Sequence, residues 1–315
     1  MRQLGGGGAE DSVNGRDAGM PGRATRAHVI GTWVMITLCA SSAAVLTRYA
    51  EVPAASIGFW RVFGAGVILL PWWWKAWRAA GQPRIVSVGA LVSGVALGIH
   101  FATWCWAIQH TSIANAALFI GLQPLIIPFI AHALIREKLN AWELVGSALA
   151  LVGSLWIMGR QVAFARGDLA GSLAAMFSTG WCGLYFVFGR KYRGQEHVML
   201  FSVPVYFVAA AVQAVASCVL SGGIFAGHGW TPVALLALIL VPTVGGHTLA
   251  MYLLRHAKAQ TLSLSVPAQF AISVIAAWIL FGEVPPVWFY PGAALVLAGV
   301  TIGVVFGEGS VPAEM

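Results

Sequence analysis

The stretch from His110 to Gly153 is written twice. Moved 146 positions along the chain, it lies without a gap on His256 to Gly299. Leu118 falls on Leu264, Gln123 on Gln269, Glu137 on Glu283, Trp142 on Trp288, Gly146 on Gly292 and Gly153 on Gly299. Leucine and alanine coincide easily in an apolar chain, but Gln, Glu, Trp and Gly at one common offset do not. Each copy has an apolar run, a short break carrying Glu, and a second apolar run opening at Trp. Such a unit at the end of each half of the chain is the pattern of a duplicated membrane protein.

Composition points the same way. Of the 315 residues, 59% are apolar and 9% charged, with a mean hydropathy of +0.80. Soluble domains carry roughly 25% charged residues, so water is excluded as the solvent for most of this surface. The formal charge of +7 does not point to nucleic acid, because Lys and Arg lie scattered between apolar runs. Cys39, Cys105, Cys182 and Cys218 fall inside those runs without metal-ligand spacing. They read as small buried residues, and no metal or other cofactor is expected.

Residues 1–27 are Gly-rich and polar, and are expected to form a disordered tail. Met20, just before the last basic cluster of this tail, is the expected start of translation. Ten apolar spans follow, at about 28–47, 55–74, 86–109, 112–134, 142–158, 169–189, 198–220, 232–254, 261–281 and 287–306. In lipid every backbone polar group must be paired within its own segment, so these are helices. The expected fold is all-α and polytopic, with one five-helix repeat over 28–158, a second over 169–306, and a short tail over 307–315. With the N-terminus inside, cytoplasmic segments hold 14 Lys and Arg and the outer ones 3. Both termini are therefore expected in the cytoplasm, and five helices per repeat would insert the second half upside down. Trp72, Trp73, Trp74 and Trp77 close the second span as an interface anchor.

Three segments carry a resemblance: FWRVFGAGVILL in the second span, NAALFIGLQPLIIPFIAHALIREKLNAWELVGSALALVGSLWIM, and its copy TLSLSVPAQFAISVIAAWILFGEVPPVWFYPGAALVLAGVTIGVV. They resemble the paired domains of the EamA-type transporters of the drug/metabolite transporter superfamily. The resemblance implies ten helices, cytoplasmic termini, and export or exchange of small metabolites, amino acids or drugs. Two departures stand out: Arg136 replaces the Gly that usually precedes the Glu, and Phe270 stands opposite Pro124.

Several residues could carry the chemistry of such a carrier. Gln123 and Gln269 are equivalent in the duplication and lie inside spans; each is a substrate ligand or a bond between helices. His100 and His247 fall in the middle thirds of the third and eighth spans, where an ionisable group marks a pathway unless a neighbouring helix satisfies it. Trp104, Trp181, Tyr185 and Tyr252 offer aromatic faces to an apolar, aromatic or cationic solute, or simply pack. Arg61, a turn and a half inside the second span, is expected to reach the interface as an anchor. Gly94-x-x-x-Gly98 and Gly299-x-x-x-Gly303 permit close helix contact, the latter within the chain or across a homodimer. Pro124, Pro128 and Pro267 are candidate hinges. No carboxylate occupies a span centre and no phosphate-binding loop is present.

Together these features predict one cavity near the bilayer midplane, built from the third, fourth, eighth and ninth spans, with the first and sixth closing it. The leading expectation is a secondary transporter in the inner membrane, with a small-molecule substrate and the lipid bilayer as its partners. An intramembrane enzyme is the alternative, and a channel stands behind it.

Overall fold

The computed structural model describes residues 26–111, 116, 119–138, 140–158, 169–193, 197–269, 271–272 and 287–307. Its helices are α1 (Arg26–Ser41), α2 (Ala43–Tyr49), α3 (Ala54–Ala79), α4 (Val88–His110), α5 (Gln123–Ile135), α6 (Ala141–Met158), α7 (Leu169–Tyr192) and α8 (Val198–Ser221). Then come α9 (Thr231–Leu238), a π-helical stretch (Ile239–Thr248), α10 (Leu249–Leu253), α11 (Ala259–Ser263), α12 (Phe289–Thr301) and a closing π-helical turn (Ile302–Phe306). Among the described residues there is no strand.

Seven of the helical segments are long and apolar enough to cross a membrane, and Gln123–Ile135 and Ala141–Trp156 are shorter apolar helices. The fourth and ninth expected spans run partly into residues outside the described set, as do Phe270, Glu283, Arg160 and Arg166. Helix ends follow local chemistry. Ser87 caps α4 by accepting from the Ala90 amide at 3.1 Å. Gly222, at φ +73°, ends α8 in the left-handed conformation that glycine adopts freely. Arg136, at φ +54°, does the same for α5 without that freedom.

Glycine decides how closely the helices approach. α4 packs between α7 and α8, α3 packs on α8, and α6 packs on α12. A Cβ at Gly98 would lie 2.7 Å from Val212 Cβ, so α4 and α8 meet there without a side chain between them. The α6–α12 seam is tighter. A Cβ at Gly146 would lie 2.5 Å from the Gly299 carbonyl oxygen, and one at Gly153 would lie 2.6 Å from that of Gly292. Gly303 also meets Gly146, so the Gly299-x-x-x-Gly303 face is used within the chain.

The loops gather at two ends. At one, Arg190 pairs with Glu137 at 3.5 Å, Lys258 with Glu143 at 3.1 Å, and Arg190 donates to the Leu254 carbonyl at 2.7 Å. Burial raises the Glu137 carboxyl above its ordinary range, against the pull of Arg190 and Lys258. Burial, with the Arg255 charge, lowers Arg193 to about 10. Arg193 and Lys258 are buried here rather than open to solvent, because both reach inward to oxygen acceptors. At the other end Trp60 donates to the Phe225 carbonyl and Gln109 to that of Val52. Between the ends, Phe129, Val152, Leu173 and Val215 stand exposed, which suits a hydrocarbon surrounding and not water.

Candidate functional site: a central cavity lined from both halves

A cavity of about 820 Å³, its open mouth included, lies inside the bundle. Its walls come from α1, the start of α2, α3, α4, the start of α5, α7, the π-helical stretch with α10, and residues 262–269. Broken helices supply its polar groups. Residues 119–120 are helical, Gly121 and Leu122 form a turn, and α5 begins at Gln123. Pro124 therefore starts a helix, where its missing N–H is not needed, and does not bend the middle of one. Pro128 is interior and cannot offer the N–H that would reach the Pro124 carbonyl. Gln260 Nε2 donates to that carbonyl at 2.9 Å and also bonds the Ser147 hydroxyl.

The second half shows a related device. Pro242 cannot supply the N–H that an α-helix would bring to the Leu238 carbonyl. Thr243 Oγ1 donates there at 2.7 Å, and the helix widens over Ile239–Thr248. Tyr206 steadies this stretch through the Thr243 carbonyl at 3.3 Å and Thr248 Oγ1 at 2.8 Å.

Gln123, Gln269, His100, His247 and Trp104 all border this one cavity. Gln123 is 1% exposed, and its Oε1 has no hydrogen-bond partner. Gln269 Nε2 bonds Ser265 Oγ at 3.2 Å. His100 Nδ1 lies 2.8 Å from Ser178 Oγ, which ties α4 to α7. The His100 and His247 rings stand 6.5 Å apart, and His247 Nδ1 is buried without a partner.

Three of the expected aromatic ligands lie elsewhere. Tyr252 turns to the basic end, where its hydroxyl bonds His28 Nε2 at 3.0 Å and its ring meets His256. At the same end, burial and the Arg255 charge lower the His256 imidazole. Trp181 packs edge-on against Phe177. Tyr185 is wholly buried beside His247, its ring 5.8 Å away, outside the cavity lining. Helical periodicity turns each of them off the wall. Of the hinge candidates, Pro124, Pro128 and Pro267 are all buried.

Arg61 departs furthest from its sequence reading. It does not reach the interface: it is 1% exposed and borders the cavity. Nε donates to Thr243 Oγ1 at 3.3 Å, the guanidinium lies 4.1 Å over the Phe101 ring, and Nη1 is buried without a partner. The signal available in sequence was the lack of carboxylates at span centres, which leaves an inward-turned Arg with nothing to pair. Gln260 and Gln213 were also missed. Gln213 donates to the Gly98 carbonyl at 2.7 Å, and an amide inside an apolar run was its only mark.

The deciding match is to the first half: residues 29–159 fit the EamA-like transporter family. That half of the chain is similar to the EamA-type transporters. An uncharacterised transporter of Pseudomonas aeruginosa is 29% identical over 35% of this chain and 39% of its own length. A riboflavin transporter of Brucella anthropi is 26% identical over 84% of this chain and 94% of its own. An uncharacterised transporter of Archaeoglobus fulgidus is 22% identical over 85% and 93%. A crystal structure at 19% identity superposes with a TM-score of 0.74, covering 90% of this chain and 98% of that one, so the fold is shared. The chain is a multi-pass membrane transporter.

Proposed function

We propose that this EamA-type chain is a secondary carrier that exports a small metabolite, amino acid or drug-like solute across the cytoplasmic membrane by alternating access. The observation that carries the proposal is a single cavity bordered by both halves, with Gln123 and His100 from one and Gln269 and His247 from the other. Ten helices in two inverted five-helix repeats, with both termini cytoplasmic, complete it. Crossed glycine contacts support the inversion. Gly146 meets Gly299 while Gly153 meets Gly292. Exchanging each glycine for its repeat equivalent maps one contact onto the other, as a two-fold axis between antiparallel helices requires.

Alternating access needs elements that bend. The turn at Gly121–Leu122 and the wide stretch Ile239–Thr248 are such elements, one in each half. Phe101, Trp104 and Phe186 in the lining favour a solute with a flat apolar body, and the likeness to a riboflavin transporter points the same way. Purified protein in liposomes tests the carrier. Counterflow of a labelled solute is expected. A solute converted to product, or a flux that does not saturate, would indicate an enzyme or a channel instead.

A further inference from the structure

We infer that Arg61 makes the cavity a site for organic carboxylates, so that the solute pairs a flat apolar body with one negative charge. This rests on the carrier proposal for what the cavity holds, and adds its substrate class. The guanidinium is 1% exposed, with Nη1 buried and unpartnered. Nε donates to the Thr243 hydroxyl at 3.3 Å, the Cys105 thiol also accepts from the guanidinium, and the Phe101 ring holds its plane from 4.1 Å. None of these neighbours carries a charge, and no Asp or Glu borders the cavity among the described residues. The acidic groups of the described bundle that do form ion pairs, Glu137 and Glu143, are occupied at the basic end by Arg190 and Lys258.

A cation buried among apolar helices is kept for a pathway or a partner, and this one has no counter-charge of its own. An arginine fork takes a carboxylate through two parallel N–H bonds. His247 Nδ1 and the Gln123 side chain border the same cavity and can complete the anion's hydrogen bonds. One fixed positive charge balances one carboxylate. A phosphate, which carries about 1.5 to 2 negative charges, would remain partly unneutralised. Phe101, Trp104 and Phe186 supply the apolar surface for the rest of the solute.

Matched pairs test this on the full-length protein in detergent, by isothermal titration: benzoate against benzamide, phenylacetate against phenylacetamide, indole-3-acetate against indole-3-acetamide. At least one acid should bind, and its amide should bind at least tenfold more weakly. Arg61→Gln should erase that difference and Arg61→Lys should keep part of it. Competition of the bound acid by thiocyanate on the unaltered protein gives the same answer if the variants fail to fold. If no acid binds more tightly than its amide, or if the preference survives Arg61→Gln, the inference is overturned. Liposome exchange separates the two proposals. An acid that binds through Arg61 without exchanging would remove the carrier and leave the anion site. Exchange of riboflavin or an amide, equal in the native protein and Arg61→Gln, would remove the anion site and leave the carrier.

Discussion

Gln260 donates to the main-chain oxygen of Pro124 at 2.9 Å, across the gap between α11 and α5. Pro128 is the reason that oxygen needs an outside donor. The proline loosens α5, and the amide fixes the loosened turn to the opposite half of the chain. The bond therefore sits where the two halves would have to part if the cavity opened toward the basic end.

Gln260→Leu should leave the Pro124 carbonyl buried without this donor. A buried polar group stripped of its partner costs about 1–3 kcal/mol. The expected result is a melting temperature several degrees lower in detergent, with the protein still inserted. An unchanged melt would show that water or a neighbouring amide replaces the bond.

Gln123→Ala and Gln269→Ala should each weaken transport about tenfold in apparent affinity, the worth of one good amide contact. Membrane levels should hold, since both amides border the cavity. Normal exchange by the double variant would reduce both amides to links between helices.

Arg136 occupies the left-handed region at φ +54°, which costs a non-glycine residue about 1–2 kcal/mol. Glycine removes that cost and gives back part of it as unfolded-chain entropy. Arg136→Gly should therefore raise the melting temperature by about 1–3 °C. A fall would mean that the arginine side chain contributes more than its backbone strain.

Lys258 and Glu143 form a nearly buried ion pair at 3.1 Å. Lys258→Met alone should destabilise by about 3–5 kcal/mol, because it strands a buried carboxylate, and adding Glu143→Leu should recover most of that loss. A thermal-melt double-mutant cycle measures the coupling. Additive losses would show that the two charges do not depend on each other.

The orientation can be read from exposed positions at the two ends. In a protein lacking the native cysteines, Lys191→Cys should resist an impermeant thiol reagent in intact cells and His228→Cys should react. Both sites are exposed, whereas Arg193, beside the first, is buried and would resist from either side. Labelling at position 191 from outside would reverse the proposed topology.

The sequence by itself determined the membrane class, the all-helical backbone and the family resemblance. Long apolar runs without alternation leave the helix as the backbone solution in lipid, and the Gly, Gln, Glu and Trp repeated at one offset survive any choice of span boundaries. It also singled out Gln123, Gln269, His100, His247 and Trp104, because a polar or aromatic side chain inside an apolar run must find company. Only the tertiary structure decided which way each side chain turns. A helical residue changes face by about 100° per step; Tyr252 and Trp181 are therefore carried off the wall while Arg61 is brought onto it. Span boundaries uncertain by a few residues cannot settle that rotation. The pairing of Gly146 with Gly299, the donation from Gln260 to Pro124, and the donation from Arg61 to Thr243 all join residues far apart in the chain. Packing of the two halves against each other fixed all three, and nothing local to any one span encodes them.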